Sequence, residues 1–361
     1  MRPTIMEVNL DNFKFNINSI KSKLSSNTKI MPVIKANAYG TYINTRLDIL
    51  NEFDIVAVAV VSEGIELRKI GYEKEIFVLN QPDVGEIDEI IEYNLTIGIS
   101  STEFVRALGK RKEKVKVHIE IGTGMGRTGI HPDRTIEFID FIAEYENIEI
   151  EGIYTHMSCA DIDYEYTKRQ INSFEKALEI AKEKIPNLKY IHSAASNGLV
   201  NFPEAQYNLV RPGIIMYGYE SGEGILDKID LKPVCKLKSK ITLLKTVPAG
   251  TSIGYARSFI TTRETKVATV PIGYADGLRR DLSNGGEVLI NGQKVPIIGK
   301  VCMDGFMADV TDLAEVKMGD DVWIWDNEKI TLEQVALKCN TINYEIMSTI
   351  SNRVPRVFTE K

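Results

Sequence analysis

Residues 148–196 read IEIEGIYTHMSCADIDYEYTKRQINSFEKALEIAKEKIPNLKYIHSAAS. The run Ile148–His156 is rich in β-branched and aromatic residues, and so is the run Lys189–Ser196. Between them, Thr167–Lys184 places Ile171, Phe174, Leu178 and Ala181 at three- and four-residue spacing, the pattern of a helix with one apolar face. The same alternation of strand and helix extends in both directions. Upstream lie Lys29–Lys35, Phe53–Val60, Glu75–Asn80, Leu95–Ser100 and Val115–Ile121, and downstream lies Leu209–Gly218. Eight strand-helix units predict an α/β fold of the (β/α)8 TIM-type barrel class. The competing open doubly wound sheet is disfavoured, because no Gly-x-Gly-x-x-Gly follows the first strand and eight units exceed what such a sheet needs.

The texture changes after Tyr219. Strand-like runs then recur without long helices between them: Lys236–Thr246, Lys266–Ile272, Glu287–Ile290, Lys294–Ile298, Met307–Val310 and Asp321–Trp325. Turn signals separate them at Pro248-Ala249-Gly250, Asn284-Gly285-Gly286 and Asn291-Gly292, the last being the strongest hairpin signal in the chain. A C-terminal, mainly β domain is therefore predicted. The expected division is residues 1–10 as an N-terminal strand joining the β domain, 11–228 as the barrel and 229–361 as the β domain.

The chain has 361 residues, 43% of them apolar and 26% charged, enough for a sizeable core over about two domains. Lys and Arg number 44 against 50 Asp and Glu, for a net charge of −6. The densest basic run, residues 109–114, is broken by Glu113 and carries no interleaved aromatics, so nucleic acid is not an expected partner. The first residues contain no apolar signal segment, and the longest apolar run, Ile55–Val61, is too short to span a bilayer. A cytoplasmic location without a membrane partner is expected. Cys159, Cys235, Cys302 and Cys339 form no Cys-x-x-Cys pair and are read as reduced thiols.

In a barrel the residues just past the C-terminal end of each strand face the site. Here these are Lys35, Arg127 after a Gly-rich turn, His156, Ser196 and Arg211. They include no carboxylate pair suited to glycoside hydrolysis and no set of metal ligands, so no metal is expected. A lysine at the end of a buried strand, near cations, has a lowered pKa suited to nucleophilic amine chemistry. Barrels commonly hold phosphate after strands seven and eight, which here means Ser196 and the glycine turn Arg211-Pro212-Gly213-Ile214. A phosphate nest opposite a desolvated lysine is the layout expected for pyridoxal 5'-phosphate (PLP).

These residues carry a resemblance. Val33-Ile34-Lys35-Ala36-Asn37-Ala38-Tyr39-Gly40 resembles the PLP-lysine motif of the alanine racemase family. Gly122–Arg127, Arg211–Ile214, Gly254-Tyr255, Val270–Gly277 and Gly299–Asp304 follow in that family's order, so the likeness covers nearly the whole chain. It implies a homodimer with shared sites and a small amino acid, alanine first and serine second, as substrate. By the same resemblance, Lys35 would hold PLP, Tyr39, Ser196, Gly213 and Ile214 its phosphate, Arg211 its pyridine nitrogen, and His156 would lie near the ring. Lys35 would serve one face of the substrate Cα and Tyr255 of the partner subunit the other. Arg127 and the Met303 backbone would bind the substrate carboxylate. His118 and His192 lie within strand runs and receive no role, and Asp304 is expected only to hold its loop.

Departures from the family pattern concern Glu120, where many members carry a carboxylated lysine that supports the arginine, and Gly40-Thr41-Tyr42, where Gly-His-Gly is usual. Glutamate brings a negative charge on a shorter stem, which leaves its pairing with Arg127 open. Two other PLP readings are a non-catalytic cofactor-homeostasis protein, which would end after strand eight, and a two-domain amino-acid decarboxylase, which would use a cysteine such as Cys302. Asn352 stands where many members place a site tyrosine, and an amide there makes room for, and can hydrogen-bond, a serine hydroxyl. Replacement Asn352→Tyr is therefore expected to lower the ratio of serine to alanine turnover about tenfold, the equivalent of about 1.4 kcal/mol. Equal losses on both substrates, or a parent protein inactive on serine, would show that Asn352 does not set specificity.

Overall fold

The computed structural model describes residues 3–220, 222 and 224–360. Its first strand, β1 (Ile5–Asn9), alternates between buried and half-buried side chains, as a strand with one covered face does. Eight parallel strands follow: β2 (Lys29–Ile30), β3 (Ile55–Val58), β4 (Glu75–Val78), β5 (Thr96–Ile99), β6 (Val115–Glu120), β7 (Ile148–Tyr154), β8 (Tyr190–His192) and β9 (Leu209–Val210). Strands β3 to β8 form one sheet in sequence order, and β2 pairs with β9. Parallel bridges Val33↔Ala57 and Ala195↔Arg211 join the two sets and close the ring. Each strand lies inside a run predicted from sequence. Strands β3 and β5 are buried at every position, which is why they read as unbroken β-branched runs rather than alternating ones.

The long helix between β7 and β8 is Tyr164–Lys184. It starts ahead of the apolar pattern because the Asp163 carboxylate accepts the Tyr166 N–H at 2.9 Å and caps it. Ile171, Phe174, Leu178 and Ala181 are all on its buried face.

The second unit is a nine-stranded sheet built from β1, β10 (Cys235–Lys240), β11 (Leu243–Val247), β14 (Thr265–Val270), β15 (Glu287–Ile290), β16 (Gln293–Ile298), β17 (Phe306–Asp309), β18 (Asp321–Trp325) and β19 (Arg356–Thr359), with β12 (Ser252–Ile253) and β13 (Phe259–Ile260) as a separate pair. β1 runs antiparallel to β10 and parallel to β19, so the N-terminal strand belongs to this unit. Asn291 and Gly292, at φ 48° and 76°, make the left-handed turn that a two-residue hairpin requires between β15 and β16. The chain divides into a β unit of residues 1–13, 39–41 and 233–361 and a barrel unit of residues 14–38 and 42–232. The joins thus fall a few residues later than those expected from sequence, and the short segment Tyr39–Thr41 groups with the β unit.

Candidate active site

Lys35 lies five residues past the end of β2. The Val33 amide donates to Pro212 O and the Ile34 amide to Ala57 O, which fixes the strand on both sides up to the lysine. Beyond it, Ala36, Asn37, Ala38 and Tyr39 have φ values of 51°, 54°, 52° and 56°, a turn of left-handed helix made of residues that all carry a Cβ. Each such residue costs about 1–2 kcal/mol. The turn is held by Ala38 N–H to Ile34 O and Tyr42 N–H to Asn37 O, both at 2.9 Å. A carboxylate clamps its entry: Glu63 accepts the Ala36 N–H at 2.6 Å through Oε1 and the Ala59 N–H at 2.7 Å through Oε2. Burial holds the Lys35 amine below the usual lysine range, with Arg127 and Arg211 acting in the same direction and Glu63 against it.

Arg211 ends β9 and is 2% exposed. Its Nη1 reaches His192 Nδ1 at 2.6 Å and donates to His192 O at 3.1 Å. Its Nη2 donates to Thr155 O at 2.8 Å and Ser193 O at 3.2 Å and reaches His156 Nδ1 at 3.3 Å. No carboxylate hydrogen-bonds the guanidinium among the described residues, and burial lowers its pKa to about 10, so it stays cationic near neutrality. Burial also pushes His156 down to about 3, helped by Arg211, Arg127 and Lys35, so that imidazole is neutral. At the ends of β8 and β9, Ser196 Oγ accepts the Gly213 N–H at 3.0 Å. The Ile214 amide follows, at the start of a 3-10 turn where backbone donors point outward.

Arg127 is exposed on a loop whose Gly124, Gly126 and Gly129 have φ of 150°, 70° and 98°. Glu120 does not pair with it. Its carboxylate accepts from Thr128 Oγ1 at 2.8 Å and lies 3.1 Å from the Tyr154 hydroxyl.

The remaining candidates belong to the β unit. Tyr39 is buried, with its ring centroid 6.0 Å from that of Tyr344, and burial raises its phenol pKa. Tyr255 is 70% exposed on a tight turn in which Gly254, Ala256 and Arg257 all have positive φ. Met303 is 52% exposed. The 302–303 backbone packs directly on Gly273, where a Cβ would come within 2.3 Å of two carbonyl oxygens. Asp304 holds its loop by accepting from Arg353 Nη2 at 2.7 Å, and Arg353 also pairs with the buried Asp276 at 3.3 Å. Asn352, next to Arg353, is exposed.

Lys35, His156, Ser196, Arg211, Gly213 and Ile214 thus gather at the C-terminal ends of β2, β7, β8 and β9, while Tyr255, Met303 and Asn352 lie on the other unit. The profile of the alanine racemase N-terminal domain matches residues 8–221 and that of the C-terminal domain residues 234–358. The chain belongs to the alanine racemase family. It is 40% identical to an alanine racemase of Halothermothrix orenii, covering all of this chain and 98% of that one. Among solved structures, an alanine racemase of Clostridium difficile is 35% identical with a TM-score of 0.94, covering 100% of this chain and 97% of that one. A second structure of that enzyme, in complex with cycloserine, is 34% identical with a TM-score of 0.91 over 100% and 96% of the two chains. Alanine racemases are PLP-dependent enzymes. No helix among the described residues is long and apolar enough to cross a membrane.

The four site features that pattern reading missed are Glu63, the left-handed turn, Tyr154 and the environment of Arg211. The first yields a test. Because Glu63 opposes the lowering of Lys35, the substitution Glu63→Gln should move the Lys35 titration further down. In cofactor-free protein, the pH midpoint of Lys35 acylation, followed by peptide mass spectrometry, should lie below that of surface lysines and drop again in the variant. A midpoint at the ordinary lysine value of about 10.4, or one that rises in the variant, would contradict this electrostatic account.

Proposed function

We propose that this protein is a PLP-dependent racemase, an isomerase that interconverts L- and D-alanine, with serine as a second substrate, and that it supplies D-alanine for peptidoglycan in the cytoplasm. The observation that carries the reading is the barrel-end pairing of a lysine amine held below its ordinary pKa with a buried arginine. The Nε–H of that arginine has no protein partner among the described residues. The barrel-end residues fit PLP: Lys35 would supply the amine, and Ser196 Oγ with the Gly213 amide that now donates to it and the Ile214 amide would bind the phosphate, to which the family resemblance adds the Tyr39 phenol. When bound, PLP withdraws electrons from the substrate Cα and makes its proton removable.

Arg211 would face the pyridine nitrogen and, because a guanidinium keeps its own protons, would donate to it through Nε–H and leave that nitrogen unprotonated. His156, neutral beside it, adds no competing charge near the ring. Inversion needs an acid/base on each face of Cα, because a single group returns the proton to the side it came from. Lys35 takes or gives the proton at Nζ on one face. Tyr255 of the partner subunit does so at its hydroxyl on the other, and the high exposure of Tyr255 on its own chain supports a role outside it. Arg127 and the Met303 amide bind the substrate carboxylate, and Asn352 faces the substrate side chain. The match of a full racemase C-terminal domain over residues 234–358 favours this reading over a cofactor-homeostasis protein.

The direct assay is polarimetry: a solution of L-alanine should lose its optical rotation. The two-subunit site makes a sharper test. Lys35→Ala and Tyr255→Ala homodimers should each be inactive, yet after subunit exchange each heterodimer should hold one complete site and activity should return. Exchange confirmed by mass spectrometry with activity still at zero would refute the shared site.

A further inference from the structure

Arg211 is the upper end of a hydrogen-bonded chain that runs back through the barrel interior, away from the site. His192 Nε2 lies 2.9 Å from His118 Nδ1, and both rings are fully buried. Each is held face-on by an aromatic ring: His118 stacks on Phe77 at 4.4 Å and His192 on Tyr154 at 4.9 Å. Gly152 makes room for the first ring, since a Cβ there would fall 2.7 Å from it. Below His118 sit Glu75 and Glu151. Their outer oxygens are occupied: Glu151 Oε1 accepts from Lys116 at 2.9 Å and Lys189 at 2.8 Å, and Glu75 Oε2 from Lys189 and Tyr190, both at 3.1 Å. Three buried atoms, His118 Nε2, Glu75 Oε1 and Glu151 Oε2, have no protein partner, and the three residues each bring a ring nitrogen or carboxylate oxygen within 4.8 Å of the others.

Two carboxylates and an imidazole at that spacing have the composition of a cation site, but the chain above them forbids it. A guanidinium can only donate, so His192 Nδ1 must accept and the His192 proton sits on Nε2. His118 Nδ1 must then accept in turn, and its proton also sits on Nε2, which leaves no lone pair there for a metal. One N–H donor facing two carboxyl oxygens is instead the complement of a single water, which accepts from the first and donates one hydrogen to each of the others.

We propose that His118 and His192 are positioning residues locked in one tautomer, neutral with the proton on Nε2, which carry the donor polarity of Arg211 through the barrel to a water held between Glu75 and Glu151. The catalytic relevance rests on the reading that Arg211 faces the PLP nitrogen; the polarity of the chain does not. Both imidazoles stay neutral at working pH. Burial holds His118 at about 3, with Glu151 opposing and Lys189, Arg211 and Lys116 reinforcing, and burial with Arg211 and His118 holds His192 well below its ordinary value. Neutral acceptors with fixed orientation let Arg211 keep its charge and its direction together.

The chain has four histidines, which makes the test clean. Two-bond 1H–15N spectra of histidine-labelled holoenzyme are recorded between about pH 6 and 9, with the exposed His131 signal identified by its loss in His131→Gln. His118, His156 and His192 should show an unprotonated Nδ1 and a protonated Nε2 throughout. In Glu151→Gln the His118 Nε2–H signal should shift without a change of tautomer, and added Zn2+ should leave it unmoved. A proton on Nδ1 or an imidazolium at His118 or His192, or zinc ligation at His118, would overturn the proposal. His118→Phe should lower kcat for alanine about tenfold with little change in KM, and His118→Gln, which both accepts and donates, should recover most of it. Equal losses in the two variants would refute the positioning role and leave the racemase reading intact. A parent protein that does not racemise alanine would refute that reading and leave the tautomer assignment standing.

Discussion

A guanidinium buried without a carboxylate in contact is the constraint around which the barrel end is organised. Such a charge is costly unless its donors are met. Arg211 meets those of its two Nη groups with the carbonyls of Thr155, His192 and Ser193 and with two imidazole nitrogens. Those acceptors come from β7, β8 and their C-terminal extensions, so one side chain at the end of β9 sets the mutual positions of three strand ends. The choice of neutral acceptors has a chemical result: the positive charge is not cancelled locally, and it lowers the pKa of the Lys35 amine and of His156.

The turn after Lys35 adds a second, independent constraint. Four left-handed residues at about 1–2 kcal/mol each come to roughly 4–8 kcal/mol of local strain. The Ala36 N–H bond to the Glu63 carboxylate offsets about 1.5–3 kcal/mol of this, and the Ala59 N–H anchors that carboxylate in place. The clamp joins the Ala36 amide after β2 to the Ala59 amide after β3, so it locks the lysine to the neighbouring strand as well as to its own.

Much of this was legible in the sequence, for physical reasons that differ between elements. Strands such as β3 and β5 could be read because parallel strands covered on both faces are continuously apolar, and the placement of Lys35, His156, Ser196 and Arg211 at the barrel end followed from the strand positions. Asn291-Gly292 could be read because few residues accept two consecutive positive φ values. Glu63, Glu75 and Glu151 could not, since a carboxylate on a helix or at a strand looks like a solvated charge until its partners are known. Ala-Asn-Ala-Tyr carries no signal for a left-handed turn, because its conformation is imposed by Glu63 and the backbone around it. His118 and His192 were passed over as core residues, and only the donor-only chemistry of Arg211 gives them a direction. The partner of Glu120 was also hidden: Thr128 and Tyr154 take its oxygens, and Tyr154 lies more than thirty residues away in sequence.

The central claim is that Lys35, presented by the strained turn opposite Arg211, carries the cofactor. Borohydride reduction of the purified holoenzyme followed by peptide mass spectrometry tests this most directly. The account predicts a phosphopyridoxyl group on the peptide containing Lys35 and on no other lysine. A reduced protein carrying the group elsewhere, or carrying none, would contradict it.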